Sequence, residues 1–328
     1  MLEVTTIHWV AFCSLVAILL ILDLLIFHRH AHEPSLRESA GWTVFWSSLA
    51  LCFNGLIWWW GGPGPGIDFF TGYLVEWSLS MDNVFVFIVI FAYFRVPLKY
   101  QYRVLFWGIL GAIAMRLTFI LIAGELLERF DWVLYLFGAF LLYTGVKLAF
   151  AHGSESSPEN NIVIRTARRV LPVSATAHGD KFFVREGGRL MVTPLFLVLL
   201  AVESTDVVFA VDSVPAIFGI TDDPFIVFTS NVFAIMGLRA LYFLLAGVVD
   251  MFRYLSYGLA AVLVFIGAKM LLHDFIHLPN WASLAVIASL LSISIIASLI
   301  AARRNPTPPH PDAVQPLPAE PEPEPRGK

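Results

Sequence analysis

Long apolar stretches alternate with short polar ones almost from one end of the chain to the other. Nine stretches are long enough to matter, at about 7–27, 40–60, 68–94, 103–124, 131–150, 191–213, 224–247, 254–272 and 281–302. As a helix, a run of ~20 apolar residues has the rise needed to cross ~30 Å of hydrocarbon. Backbone amides in lipid have no water to bond, so each spanning segment must satisfy them internally. The pattern predicts an all-α polytopic membrane protein, with about nine transmembrane helices over residues 1–302. The cluster Trp58 to Trp60 fits an aromatic belt at a membrane surface.

Composition agrees. Of 328 residues, 58% are hydrophobic and 14% charged, whereas soluble domains average about 45–50% and 25%. Cys13 and Cys52 both lie in apolar stretches without CxxC spacing. They read as small core residues, neither redox centres nor metal ligands. The first stretch has no basic n-region or small-residue cleavage pattern, and no Arg- and Ser-rich transit segment precedes it. It is expected to be a retained helix, in a bacterial plasma membrane.

The basic residues orient the nine spans. One side would receive 17 of the 21 Lys and Arg, the other only Arg129 and Lys269, while Arg116 and Arg239 fall inside spans. The positive-inside rule then places the N-terminus outside and the C-terminus in the cytoplasm. Residues 151–190 form a polar cytoplasmic linker, flexible over "GSESSPENN" and with a short surface helix expected at "NIVIRTARRVLP". The Pro- and Glu-rich tail, 303–328, is expected to be disordered.

Three features occur in the same order in two parts of the chain. Glu76 and Asp82, six apart in the third span, match Asp206 and Asp212 in the sixth. Arg116 in "GAIAMRL" matches Arg239 in "AIMGLRAL". Lys147 in "LLYTGVKLAF" matches Lys269 in "LVFIGAKMLL". Three helices is an odd number, so a second copy that follows the first directly is inverted in the membrane. The expected architecture is two inverted three-helix repeats, helices 3–5 (about 68–150) and 6–8 (about 191–272). Secondary transporters use such repeats with binding sites at the bilayer midplane.

A charge at the bilayer centre costs about 2.5–3.5 kcal/mol on insertion scales, so Glu76, Asp82, Glu203, Asp206 and Asp212 are functional candidates. Glu203 and Asp206 share a helix face. Residues six apart do not, so breaks near "SLSMDN" and "DSVP" are expected to bring the acids together. Asn83 and Ser213, with Asn54 and Asn231, add neutral oxygens. This oxygen-only set suits Mn²⁺, Ca²⁺ or Mg²⁺ as a transported ion, Mn²⁺ first and Ca²⁺ second, with no resident cofactor. Arg116 and Arg239 read as counter-charges, Asp23 as reaching the interface, and Lys147 and Lys269 as snorkelling. His28, His30 and His32 read as a solvated juxtamembrane stretch.

"EWSLSMDNVFVF" (Glu76 to Phe87) and the segment from Glu203 to Leu245 closely resemble the TerC/Alx family of integral membrane proteins. The resemblance covers roughly 5–302. It implies the LysE-type exporter fold, Mn²⁺ export in several members and a name taken from tellurium resistance. It also points to Glu76, Asp82, Asn83, Glu203, Asp206, Asp212 and Ser213. The expected function is proton-coupled export of a divalent cation, most simply Mn²⁺, without enzymatic activity. The expected partners are the bilayer, the metal ion, protons and a second copy of the chain, but no nucleic acid. The alternative is a non-transport component organising stress-response or membrane protein-insertion complexes. An intramembrane aspartyl protease lacks its GxGD element here, and an acidic site repels tellurite.

Overall fold

The computed structural model describes residues 4–27, 35–130, 132–150, 162–174, 179–186, 188–246, 254–275 and 278–304. His28, His30, His32, linker residues 151–161 and tail residues 305–328 lie outside the described residues. The long helices are α1 Thr6–Phe27, α2 Leu36–Gly61, α3 Pro63–Tyr93, α4 Leu98–Arg129 and α5 Trp132–Phe150. After the linker come α7 Pro194–Phe218, α8 Pro224–Leu245, α9 Leu255–Leu271 and α10 Asn280–Arg304. Among the described residues, eight of these are long and apolar enough to cross a membrane; the ninth, α9, is equally apolar but has 17 residues. The chain is an all-α polytopic membrane protein.

Helix starts follow local chemistry. Thr193 caps α7 and Asp223 caps α8, each just before a proline at the first helical position. A side-chain oxygen there accepts an amide that the helix leaves free, and proline has none to offer. Gly62, at φ +84°, turns the chain between α2 and α3. That left-handed conformation needs no Cβ.

Burial is uneven. All of the apolar window of α8 is buried, as expected for a helix that is apolar all round. It packs against α2, α3 and α4, and Trp9 and Phe12 of α1 set their rings against Phe225 and Phe228 at its start. Elsewhere α4 packs on α7, and α5 lies along α9. The last pair makes a backbone-to-backbone seam. A Cβ on Gly145 would come within 2.9 Å of Ala260 O and Val264 N. One on Gly267 would come within 2.7 Å of Gly138 O and Leu142 N. A single constant shift along the chain carries Gly145, Gly138 and Leu142 onto Gly267, Ala260 and Val264. The two close approaches are therefore the same contact, made once by each helix. In lipid, where apolar burial gives no drive for association, such close packing is what holds helices together.

Two expectations change. The linker holds more than a surface helix: α6 (Ile162–Val170) is followed by an antiparallel hairpin, β1 (Phe183–Glu186) with β2 (Arg189–Val192), in register Phe183 to Val192. The hairpin end of the bundle is tied down by the Arg103–Asp180 ion pair on α4 and by Phe182 and Phe183 against Phe196 on α7. The expected breaks in the third and sixth spans do not occur. Both α3 and α7 run on through the acidic motifs. Pro215 sits in the last turn of α7, before the cap at Gly219, and the helix passes it at the cost of one bond, since the Val211 carbonyl loses the N–H it would otherwise accept from. A break deeper in the span would leave carbonyls facing apolar neighbours with no partner.

Filling the α5–α9 seam should be costly. Gly267→Leu is expected to lower stability by about 1–3 kcal/mol, the usual cost of overpacking, seen as a lower unfolding temperature in detergent. Gly55→Ala, where a Cβ meets nothing within 4 Å, should leave that temperature unchanged.

Candidate cation site

One polar cluster lies at the junction of α3, α4, α7 and α8. Its centre is Arg116 of α4, 1% exposed. Arg116 Nη1 donates to Glu76 Oε1 of α3, to Asn231 Oδ1 of α8 at 2.7 Å and to Ser213 Oγ of α7 at 3.2 Å. Nη2 lies 3.6 Å from Asp206 Oδ1 of α7. Asn231 Nδ2 closes the ring by donating to Glu76 Oε2 at 3.2 Å. Glu76 and Asp206, the matching acids of the two motifs, thus flank a single arginine. All five side chains are buried. Charges at such burial persist only when paired and hydrogen-bonded.

Not every group is satisfied. Among the described residues, Asp206 Oδ2 and Arg116 Nε have no hydrogen-bond partner, and neither does Asn54 Oδ1 on α2. Asp206 lines a narrow cavity of about 10 Å³ with Phe87, Leu105, Gly108, Ala112 and Leu238, barely the size of one water.

The other acids stand apart. Glu203 is half-buried one helical turn from Asp206 and presses on the bare backbone of α4, where a Cβ on Gly111 would sit 2.0 Å from its Oε1. Asp212, also half-buried, lies near Thr144 and Lys147 of α5. Asn83 is buried on α3; the neighbouring Asp82 lies on the same helix, its side chain outside the described atoms. Among the described residues, no three His, Cys, Asp or Glu side chains come together as a metal cage.

Arg239 does not join the cluster. It forms a buried ion pair with Asp23 of α1, and its guanidinium lies 4.6 Å from the centre of the Tyr102 ring. Asp23 is 6% exposed, so it does not reach the interface as the sequence suggests. Nothing in the sequence links α1 to the repeat, so this pair had no legible signal. A further polar group gathers at the end opposite the hairpin. Asn280 donates to the buried Asp68, and Lys269 Nζ donates to Gly219 O at 3.2 Å. Lys269 thus bonds inward at its helix end.

The family model described as "Integral membrane protein TerC family" matches residues 62–306. The chain belongs to the TerC family. It is 52% identical over 299 residues to an "Uncharacterized membrane protein" of Myxococcus xanthus, covering 91% of this chain and 94% of the relative. It is 49% identical over 301 residues to the "Putative membrane-bound redox modulator Alx" of Escherichia coli K12, covering 89% and 94%. A Rickettsia bellii membrane protein is 41% identical over 297 residues, covering 90% and 98%. No solved structure matches the chain. The TerC match takes in Glu76, Arg116, Asp206, Ser213 and Asn231 but stops short of Asp23 and Asn54.

The geometry ranks the two acids around Arg116. Glu76 meets the guanidinium directly and Asp206 at 3.6 Å, so Glu76→Gln should destabilise the fold more than Asp206→Asn. Breaking a buried pair costs about 3–5 kcal/mol, and thermal unfolding of the two variants in one detergent checks the order.

Proposed function

We propose that the protein is a secondary transporter that exports a divalent cation, with Mn²⁺ the leading ion and Ca²⁺ the second, in exchange for protons. The observation that carries this reading is the buried convergence of carboxylate, amide and hydroxyl oxygens from α3, α7 and α8 on one cationic group. Such hard oxygen donors suit Mn²⁺ and Ca²⁺. Glu203 and Asp212 flank this centre and would take part in ion entry and release. The proposed setting is a bacterial plasma membrane, N-terminus outside and C-terminus in the cytoplasm, which puts α6 and the hairpin on the cytoplasmic side.

Inverted repeats over α3–α5 and α7–α9 form part of the proposal. Its support is the reciprocal glycine seam of α5 and α9, and the matched packing of α3 on α8 and α4 on α7. A two-fold axis in the membrane plane exchanges those two contacts and places the site at the repeat interface. The name carried by relatives such as the Escherichia coli protein favours a second reading, a non-transport component of a redox or stress-response assembly.

Reconstitution distinguishes the two. Purified protein in liposomes should move radioactive Mn²⁺ against the direction of proton flow when a proton gradient is imposed, and Asp206→Asn or Asp212→Asn should reduce the flux at least about tenfold. Unsubstituted protein that moves no divalent cation would sink the transport reading. Rescue of a deletion strain by a chain with all five acids neutralised would favour the second.

A further inference from the structure

We infer that Arg116 is the empty carrier's own cation: its guanidinium stands where the transported divalent ion sits, and the ion binds by displacing it. The inference rests on the transport reading above and concerns the same oxygens.

The fit between arginine and its surroundings is poor in a specific way. A guanidinium is a planar fork with five N–H donors, two on each Nη and one on Nε, and it matches a carboxylate best through two parallel bonds. Here three oxygens, from Glu76, Asn231 and Ser213, converge on Nη1, which has two hydrogens to give. Meanwhile, among the described residues, Nε has no acceptor, and neither carboxylate is gripped by two parallel bonds. Several oxygens gathered round one point, from three helices, is the arrangement a compact cation asks for. Hard divalent ions take six or more oxygens at ~2.0–2.6 Å.

Charge points the same way. Glu76 and Asp206 together carry two negative charges when ionised, which a divalent ion cancels in full. Arg116 cancels one, and Asp206 Oδ2 is left without a partner at 3% exposure of its residue. The oxygens come from α3, α7 and α8, whereas the arginine alone comes from α4. Removing the guanidinium therefore leaves the oxygen set whole. The cavity beside Asp206, edged by Gly108 and Ala112 of that same α4, adjoins the place the ion would take.

The consequence for transport is a division of labour. Two unneutralised carboxylates are costly to carry through a low-dielectric bundle. In proton exchange a metal-free carrier without Arg116 therefore has to take up a proton on each acid, where the native one needs a proton on only one, and it returns far less readily. With metal bound in both directions, it needs neither proton.

The test uses full-length protein in liposomes and nanodiscs, with Mn²⁺ as the probe. Arg116→Gln is expected to bind Mn²⁺ at least about tenfold more tightly than the native chain. It should keep Mn²⁺/Mn²⁺ exchange while losing net efflux by at least about tenfold. Arg116→Lys, which retains a competing charge, should bind with native-like affinity and recover part of the net efflux. The native protein gives a readout independent of variant folding: infrared difference spectra with isotope-labelled arginine should show a guanidinium band shifting when Mn²⁺ is added. The inference is overturned if Arg116→Gln binds Mn²⁺ no tighter than native protein or loses exchange and net efflux alike. A guanidinium band unmoved by saturating Mn²⁺ overturns it too. Native protein that binds no Mn²⁺ at all removes the transport reading first, and this inference with it.

Discussion

The structure turns on the burial of one guanidinium. Arg116 lies among four helices with 1% of its surface exposed, in a protein that reads as lipid-embedded. An arginine there has no water to fall back on, and leaving one buried charge of a pair unmatched costs about 3–5 kcal/mol. Its partners must therefore arrive together. Glu76 comes from α3, Asp206 and Ser213 from α7 and Asn231 from α8. The positions of α3, α7 and α8 around α4 follow from that requirement as much as from apolar packing. Small residues make the approach possible: Gly72 of α3 faces Ser230 of α8, and Gly108 of α4 faces Val202 of α7.

Much of this was legible in the sequence, for a physical reason. A bilayer permits few backbone solutions, so nine apolar runs locate the nine long helices among the described residues to within a few positions, and charges inside those runs stand out. Glu76, Arg116 and Asp206 were visible because each is expensive where it sits. What stayed hidden depends on rotation about a helix axis or on contacts between remote segments. The sequence cannot say that Arg239 turns away from the acids of α3 and α7, or that Asp23 of α1 receives it. Asp23 lies near the end of an apolar run, where a charge normally reaches water, and its burial comes only with the tertiary fold. Nor does composition distinguish a helix that breaks at Pro215 from one that absorbs it. The β-hairpin was missed because its strands have four residues each, too short for an alternating pattern to emerge.

The two arginines show how near-equivalent sequence segments acquire different roles. Arg116 and Arg239 sit in similar motifs on α4 and α8, and a strictly symmetric molecule would give them the same partners. The partner of Arg239 instead comes from α1, which carries neither motif, and its guanidinium lies over the ring of Tyr102. Helix α1 thus removes one arginine from the centre. The other is left as the sole cation among Glu76, Asp206, Asn231 and Ser213. The asymmetry has a cost, since a second buried ion pair must be desolvated. It also fixes α1 against α8 at a defined height, a constraint that the exposed apolar surface of α1 would not supply by itself.

The hairpin end acquires meaning from the same centre. Arg116 and Asp206 stand on α4 and α7, and these two helices are gripped at one end by a single polar module. Arg103 of α4 pairs with Asp180, Phe182 and Phe183 pack on Phe196 of α7, and Thr193 Oγ1 donates to Lys181 O at 2.6 Å just before α7 begins. Ile164 of α6 is buried in the same apolar cluster as Leu195, Val198 and Leu105. A shift of α4 against α7 large enough to withdraw a guanidinium has to be taken up by this module or by rotation within the helices' upper turns. Exposed ion pairs such as Arg103–Asp180 are worth at most about 1 kcal/mol, far less than the buried contacts of Arg116. The ion pair can therefore yield at little cost, and the buried contacts of Arg116 remain the dominant barrier to sliding.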